Sequence, residues 1–156
     1  KDELDTILAS GLVLSVVTYA NSFDPRDEIA QLAALDLPEG ATVWLDVEDV
    51  KLSKPELIAK ITTWANAIKV AKYEPGAYIG AGVPLTSAEL MALPVVRYWH
   101  STSRVVDALG NEAAPSCGWT MIQCHPPNVT VAGVIVDVDF IQHDYRGREV
   151  HFIAAS

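Results

Sequence analysis

Short alternating runs of β-branched and aromatic residues interleave with longer segments whose apolar positions recur every three or four residues, so the chain reads as a succession of helices and strands. KDELDTILAS (1–10) predicts a helix closed by Gly11, and GLVLSVVTYA (11–20) a strand. Asp24 and Pro25 supply an N-cap and a first-turn proline for a helix over 24–35 that stops before Pro38. ATVWLDVEDV (41–50) is the next strand. Ser53 and Pro55 open the longest helix, 55–72, in which Leu57, Ile58, Ile61, Trp64, Ala65 and Ile68 form one apolar stripe. GAYIGAGV (76–83), PVVRYWHS (94–101), GWTMIQC (118–124) and AGVIVDVDFI (132–141) predict four more strands. A short helix runs from Ser87 to Leu93, and 101–118 is less regular, one helical turn with a loop.

Six strands separated mostly by helix-length connections imply repeated βα units and a parallel sheet, hence the α/β class. Nothing along residues 1–156 marks a linker or a repeat, so a single domain is expected. An eight-stranded barrel typically needs about 250 residues. This chain is shorter and opens on a helix, in mid-cycle, so the expected architecture is a TIM-like (β/α) barrel with the first one or two strands absent, an N-terminally incomplete domain. An open, doubly wound sheet is the competitor that needs no missing piece.

The strand ATVWLDVEDV carries acids where apolar residues would serve a buried strand better. Alternation puts Trp44, Asp46 and Glu48 on one face and Val43, Leu45 and Val47 on the other, which is expected to pack under helices. The last strand repeats the pattern, with Asp137 and Asp139 on one face toward its C-terminal end. Burying a carboxylate without a partner costs several kcal/mol or forces protonation, so two such pairs point to a site at the C-terminal end of the sheet. Crowded acids raise one another's pKa, and a neutral acid beside an ionised one suits general acid and base chemistry. Asp49 and Asp139 also fit capping roles. Oxygen ligands would suit magnesium or calcium, but no metal loop is present, and no metal or other cofactor is expected. Tyr19, Tyr78, Tyr98, Trp99 and Gln123 fall near the same strand ends, and aromatics with amides and acids suit a glycan cleft.

Composition narrows the partners. Half of the residues are hydrophobic and a fifth are charged, enough for one core, and the net charge of −9 with scattered Lys and Arg argues against nucleic acid. No apolar run approaches the roughly 20 residues of a membrane span. Gly80-Ala81-Gly82 lacks the third glycine of a dinucleotide turn, and neither a phosphate loop nor a nucleophile elbow occurs. Cys117 and Cys124 match no disulfide framework or zinc spacing.

The D-x-E of VWLDVED, with AYIGAGV, YWHS, MIQC and the terminal VIVDVDF, resembles the family 25 glycoside hydrolases, lysozyme-like muramidases, and more closely the related bacterial glycoside-hydrolase-like domains. The likeness spans nearly the whole chain. It implies a βα barrel that cuts the β-1,4 bond of peptidoglycan, with Glu48 as general acid, Asp46 as assisting carboxylate, Asp137 as the late acid and Asp139 at the variable position beyond it. Tyr19, Tyr78, Trp99, Gln123 and Asp139 would bind the sugar. The family's first-strand aspartate has no counterpart here. The resemblance further implies an extracellular or envelope location, and a separate N-terminal segment to complete the barrel. A non-catalytic glycan-binding or structural module with the same fold is the alternative from another class.

Overall fold

A computed structural model of the chain describes residues 2–20, 24–101 and 114–155, apart from the side chains of residues 25 and 125–127. Along these residues the elements run α1 (Asp2–Ala9), β1 (Val16–Tyr19), α2 (Pro25–Leu35), β2 (Thr42–Val47), α3 (Lys54–Val70), β3 (Glu74–Ile79), α4 (Ser87–Ala92), β4 (Arg97–His100), β5 (Met121–Val131) and β6 (Val134–Ile141). The helical turn expected within 101–118 falls largely outside the described residues.

Local chemistry explains the boundaries. The Arg26 N–H donates to Asp24 Oδ1 at 2.9 Å, capping α2, and Asp36 ends it in the left-handed region at φ 59°. Ser53 and Glu56 form a reciprocal capping box at the start of α3, and Thr86 with Glu89 forms another at α4. Lys54 reaches Glu89 at 3.0 Å and ties the starts of those two helices together.

The six strands form one sheet in the order β1-β2-β3-β4-β5-β6. A strictly sequential order is the signature of a sheet wound in one direction, and it excludes the doubly wound alternative, whose order reverses at a switch point. Right-handed crossovers of that kind place the helices on one face. Leu32 of α2 and Leu57, Ile61, Trp64, Ala65 and Ile68 of α3 accordingly bury against Val43, Leu45, Val47, Ala77 and Ile79. Trp44, Met121 and Val150 form a second, smaller cluster, with Trp99 packed against it. The result is a curled, mixed α/β half-barrel sheet.

One expectation is corrected. β1 through β5 are parallel, but β6 runs antiparallel to β5. Ala132 and Gly133 alone connect them, both at positive φ (50° and 83°), which is the backbone of a tight hairpin. A two-residue connection cannot make the crossover that a parallel pair needs. β5 also runs beyond the expected 118–124 to Val131, with its register shifted between Gln123 and Asn128. Pro126 and Pro127 lie inside that irregularity, where a residue without an N–H interrupts no regular ladder.

The segment after β6 closes the bottom of the sheet, a role with no signal in the sequence pattern. The Gln142 N–H donates to Thr120 O, Arg97 at the start of β4 donates to Glu149 O, the Thr42 N–H donates to His151 O, and Leu14 and Ile153 exchange backbone bonds of 2.8 and 2.9 Å. Twelve residues therefore touch the N-terminal ends of four strands in turn. No helix among the described residues is long and apolar enough to cross a membrane.

Candidate active site

Strand register assembles the site. Tyr19 pairs with Asp46, Asp46 with Tyr78, and Tyr78 with Trp99, so these four side chains form one row across β1 to β4 on the face without helices. Glu48 stands one strand repeat above Asp46. Gln123 of β5 lies opposite Asp139 of β6, and Asn128, beyond the irregularity, opposite Asp137. The two β6 acids thus arrive mid-strand from a strand descending toward the site, not at the end of an ascending one.

Tyr19, Asp46, Glu48, Tyr78, Trp99, Gln123, Asp137 and Asp139 line a single cleft of about 270 Å³, joined by Val17. These are eight of the side chains singled out in the sequence, and Val17 is the lining residue that was missed. Its alternation with Thr18 on β1 is the signal that could have found it, since Val17 and Tyr19 share a face. Tyr98 does not belong to the group. Being adjacent to Trp99, it points the other way, is buried among the helix-side residues, and its hydroxyl donates to Leu90 O.

The polar contacts are specific. The Trp99 indole N–H donates to Asp139 Oδ1 at 2.8 Å, which answers the capping alternative for Asp139. The Tyr78 hydroxyl donates to Gln123 Oε1 at 3.2 Å and also hydrogen-bonds Ser101, a buried residue that sequence reasoning left unassigned. Trp99 meets both Trp44 and Tyr78 edge to face, with centroids 5.5 and 4.9 Å apart. Asp49 takes no part in the cleft lining; it is exposed at φ 49°, and its N–H donates to Ala81 O.

Burial sets the acidity. Desolvation, with Glu48 and Asp49 adding like charge, pushes the Asp46 carboxyl up to about 6. Glu48 is raised by burial first and by Asp49 second. Burial also raises Asp139, opposed by the Trp99 hydrogen bond. Tyr78 is pushed up to about 12 by burial and by Glu48, Asp46 and Asp137 around it. Oδ1 of Asp46 is buried without a hydrogen-bond partner. Among the described residues, no three His, Cys, Asp or Glu side chains are grouped so as to hold a metal ion.

A second concavity, about 310 Å³, lies on the helix side of β1 and is lined by Thr18, Asp24, Asp27, Glu28 and Gln31 beside Val17 and Tyr19. Its most buried acid, Glu28, already accepts a 3.0 Å hydrogen bond from the Trp64 indole, so it serves the core. The cleft with aromatics and an unsatisfied carboxylate oxygen is the better equipped for chemistry. Comparison of the chain with protein-family models, curated proteins and solved structures returned no match.

Proposed function

We propose that the cleft is the active site of a glycosidase acting on peptidoglycan or a related cell-wall glycan by carboxylate general acid catalysis. The observation that carries this reading is the meeting of Asp46 and Glu48 from β2 with Asp137 and Asp139 from β6 in one aromatic-lined cleft. Tyr19, Tyr78 and Trp99 supply apolar surface for sugar rings, and Gln123 supplies an amide for their hydroxyls. The segments that resemble family 25 glycoside hydrolases are in keeping with this reading, and that resemblance implies an extracellular or envelope setting.

In this mechanism Glu48 gives its proton to the departing glycosidic oxygen, while ionised Asp46 and Asp137 favour the positive charge developing at the sugar carbon. In the free cleft burial raises both carboxyls, Asp46 to about 6. A sugar ring seated over Glu48 removes water from that carboxyl and holds it neutral, and positive charge beside Asp46 favours its ionised form. The reactive arrangement is thus reached on binding.

We further propose that the half barrel belongs to a complete (β/α) barrel. Among the described residues, β1 and β6 each have a strand neighbour on one side only. Their surroundings expose Leu12, Val13, Val17, Ile135 and Phe140. Free apolar edges of this kind are normally covered. Two strands supplied by a separate N-terminal segment would join them.

Reducing-sugar release from purified peptidoglycan tests the reading. The native protein should release sugar and Glu48→Gln should lose on the order of 100-fold or more. Equal activity in the variant would remove Glu48 from the mechanism. Binding without hydrolysis by the native protein would establish the non-catalytic module instead.

A further inference from the structure

The same cleft also carries a charge preference, and this inference rests on the glycan reading above for its ligand class. Its charged lining consists of Asp46, Glu48, Asp137 and Asp139, with no Lys, Arg or His among the described lining residues. The charges that act on these acids are themselves carboxylates: Glu48 and Asp49 on Asp46, Asp49 on Glu48, and Asp137 on Asp139. The whole chain adds a net charge of −9.

These acids line the cleft, and among the described residues no three of them are grouped so as to hold a metal ion. Asp139 has the Trp99 indole as a donor, whereas Oδ1 of Asp46 has none. A ligand suited to this lining brings hydrogen-bond donors and positive charge at intervals along an extended backbone. An N-acetyl group offers one donor and no charge. An ammonium offers three donors and a full charge. The exposed ring of Tyr19 adds a surface on which a cation is attracted.

We propose that, among cell-wall glycans, the cleft prefers those bearing free amino groups, glucosamine polymers that are partly or wholly de-N-acetylated, to their fully N-acetylated counterparts. The test is calorimetric titration of the native protein with glucosamine and N-acetylglucosamine oligomers of equal length, just above pH 6, where at least half of Asp46 is ionised. The amino oligomer should bind about tenfold tighter at low salt. That margin should shrink at high salt and collapse in Asp137→Asn.

Equal or tighter binding of the N-acetylated oligomer would overturn the charge preference and leave the glycan reading standing. Failure of both oligomers to bind would overturn both. A margin undiminished in Asp137→Asn would assign the preference to the overall charge of the protein and overturn the proposal.

Discussion

Gly80 lies directly against Glu48: a β-carbon built on this glycine would overlap Glu48 Cβ and stand 2.6 Å from Oε2. Gly76, two strand repeats earlier, accommodates the Trp44 ring in the same way. β3 and the residue that follows it thus present Gly76, Tyr78 and Gly80 to Trp44, Asp46 and Glu48. The space in which the proposed acid stands is made by a missing side chain on the neighbouring strand.

Gly80→Ala therefore displaces Glu48 without removing it. Overpacking of this kind costs about 1–3 kcal/mol, so the variant should stay folded with a lowered melting temperature. Sugar release should fall by roughly tenfold or more, because a misplacement of about 1 Å can cost on the order of 100-fold. Steady-state kinetics beside a thermal melt checks this; full activity would mean that the position of Glu48 is immaterial.

The raised Asp46 carboxyl predicts a pH dependence of stability. The folded state binds this proton more tightly than the unfolded chain, whose value is near 3.8, so stability is greatest below that value and declines as pH rises to about 6. Asp46→Asn removes the cost of burying the charge. It should be more stable than the parent by about 1–2 kcal/mol near neutrality, after allowance for solvent in the open cleft. The two should converge in acid. Denaturant titrations across that range decide it, and a parent stabilised by rising pH relative to the variant would contradict it.

Trp99→Phe keeps most of the ring and deletes the donor to Asp139. Asp139 then keeps its burial and its Asp137 neighbour but loses the bond that lowers its pKa, so it should titrate at higher pH than in the parent. Carbon-detected NMR of the Asp139 carboxyl measures this directly, with a downward or absent shift as the contrary result. Glycan affinity should weaken by roughly tenfold or more, consistent with about 1.5–3 kcal/mol for a hydrogen bond to a charged group.

Trp64→Phe tests the core contact on the opposite face. Its indole N–H is the donor to Glu28 Oε1, in a setting where burial already raises the Glu28 pKa. Losing the donor should destabilise the fold by about 1–3 kcal/mol. Glu28→Gln in the same background should recover part of that, because a neutral amide is less costly to bury than a charge. Double-mutant unfolding measurements give the answer; additive losses would show that the two side chains do not depend on each other.

Alternation and capping residues were sufficient for much of this molecule. The period of two along ATVWLDVEDV separated Val43, Leu45 and Val47, now under α3, from Trp44, Asp46 and Glu48 in the cleft, because side-chain direction on a strand is a property of the local backbone. Asp24 and Ser53 announced their helices because a cap needs only its own first turn. The same local logic, applied to neighbours, should have sent Tyr98 to the core once Trp99 was given to the cleft. Other features depend on residues far apart in the chain. The reversal of β6 turns on Ala132 and Gly133, which read as the start of a strand and act as its hairpin, because alternation is identical in either direction of pairing. The row from Tyr19 to Trp99, the vacancy that Gly80 leaves for Glu48, and the closing path from Gln142 to Ile153 all depend on register between strands. Register is fixed by packing across the whole sheet, so a local pattern names the faces and the tertiary structure decides which side chains meet on them.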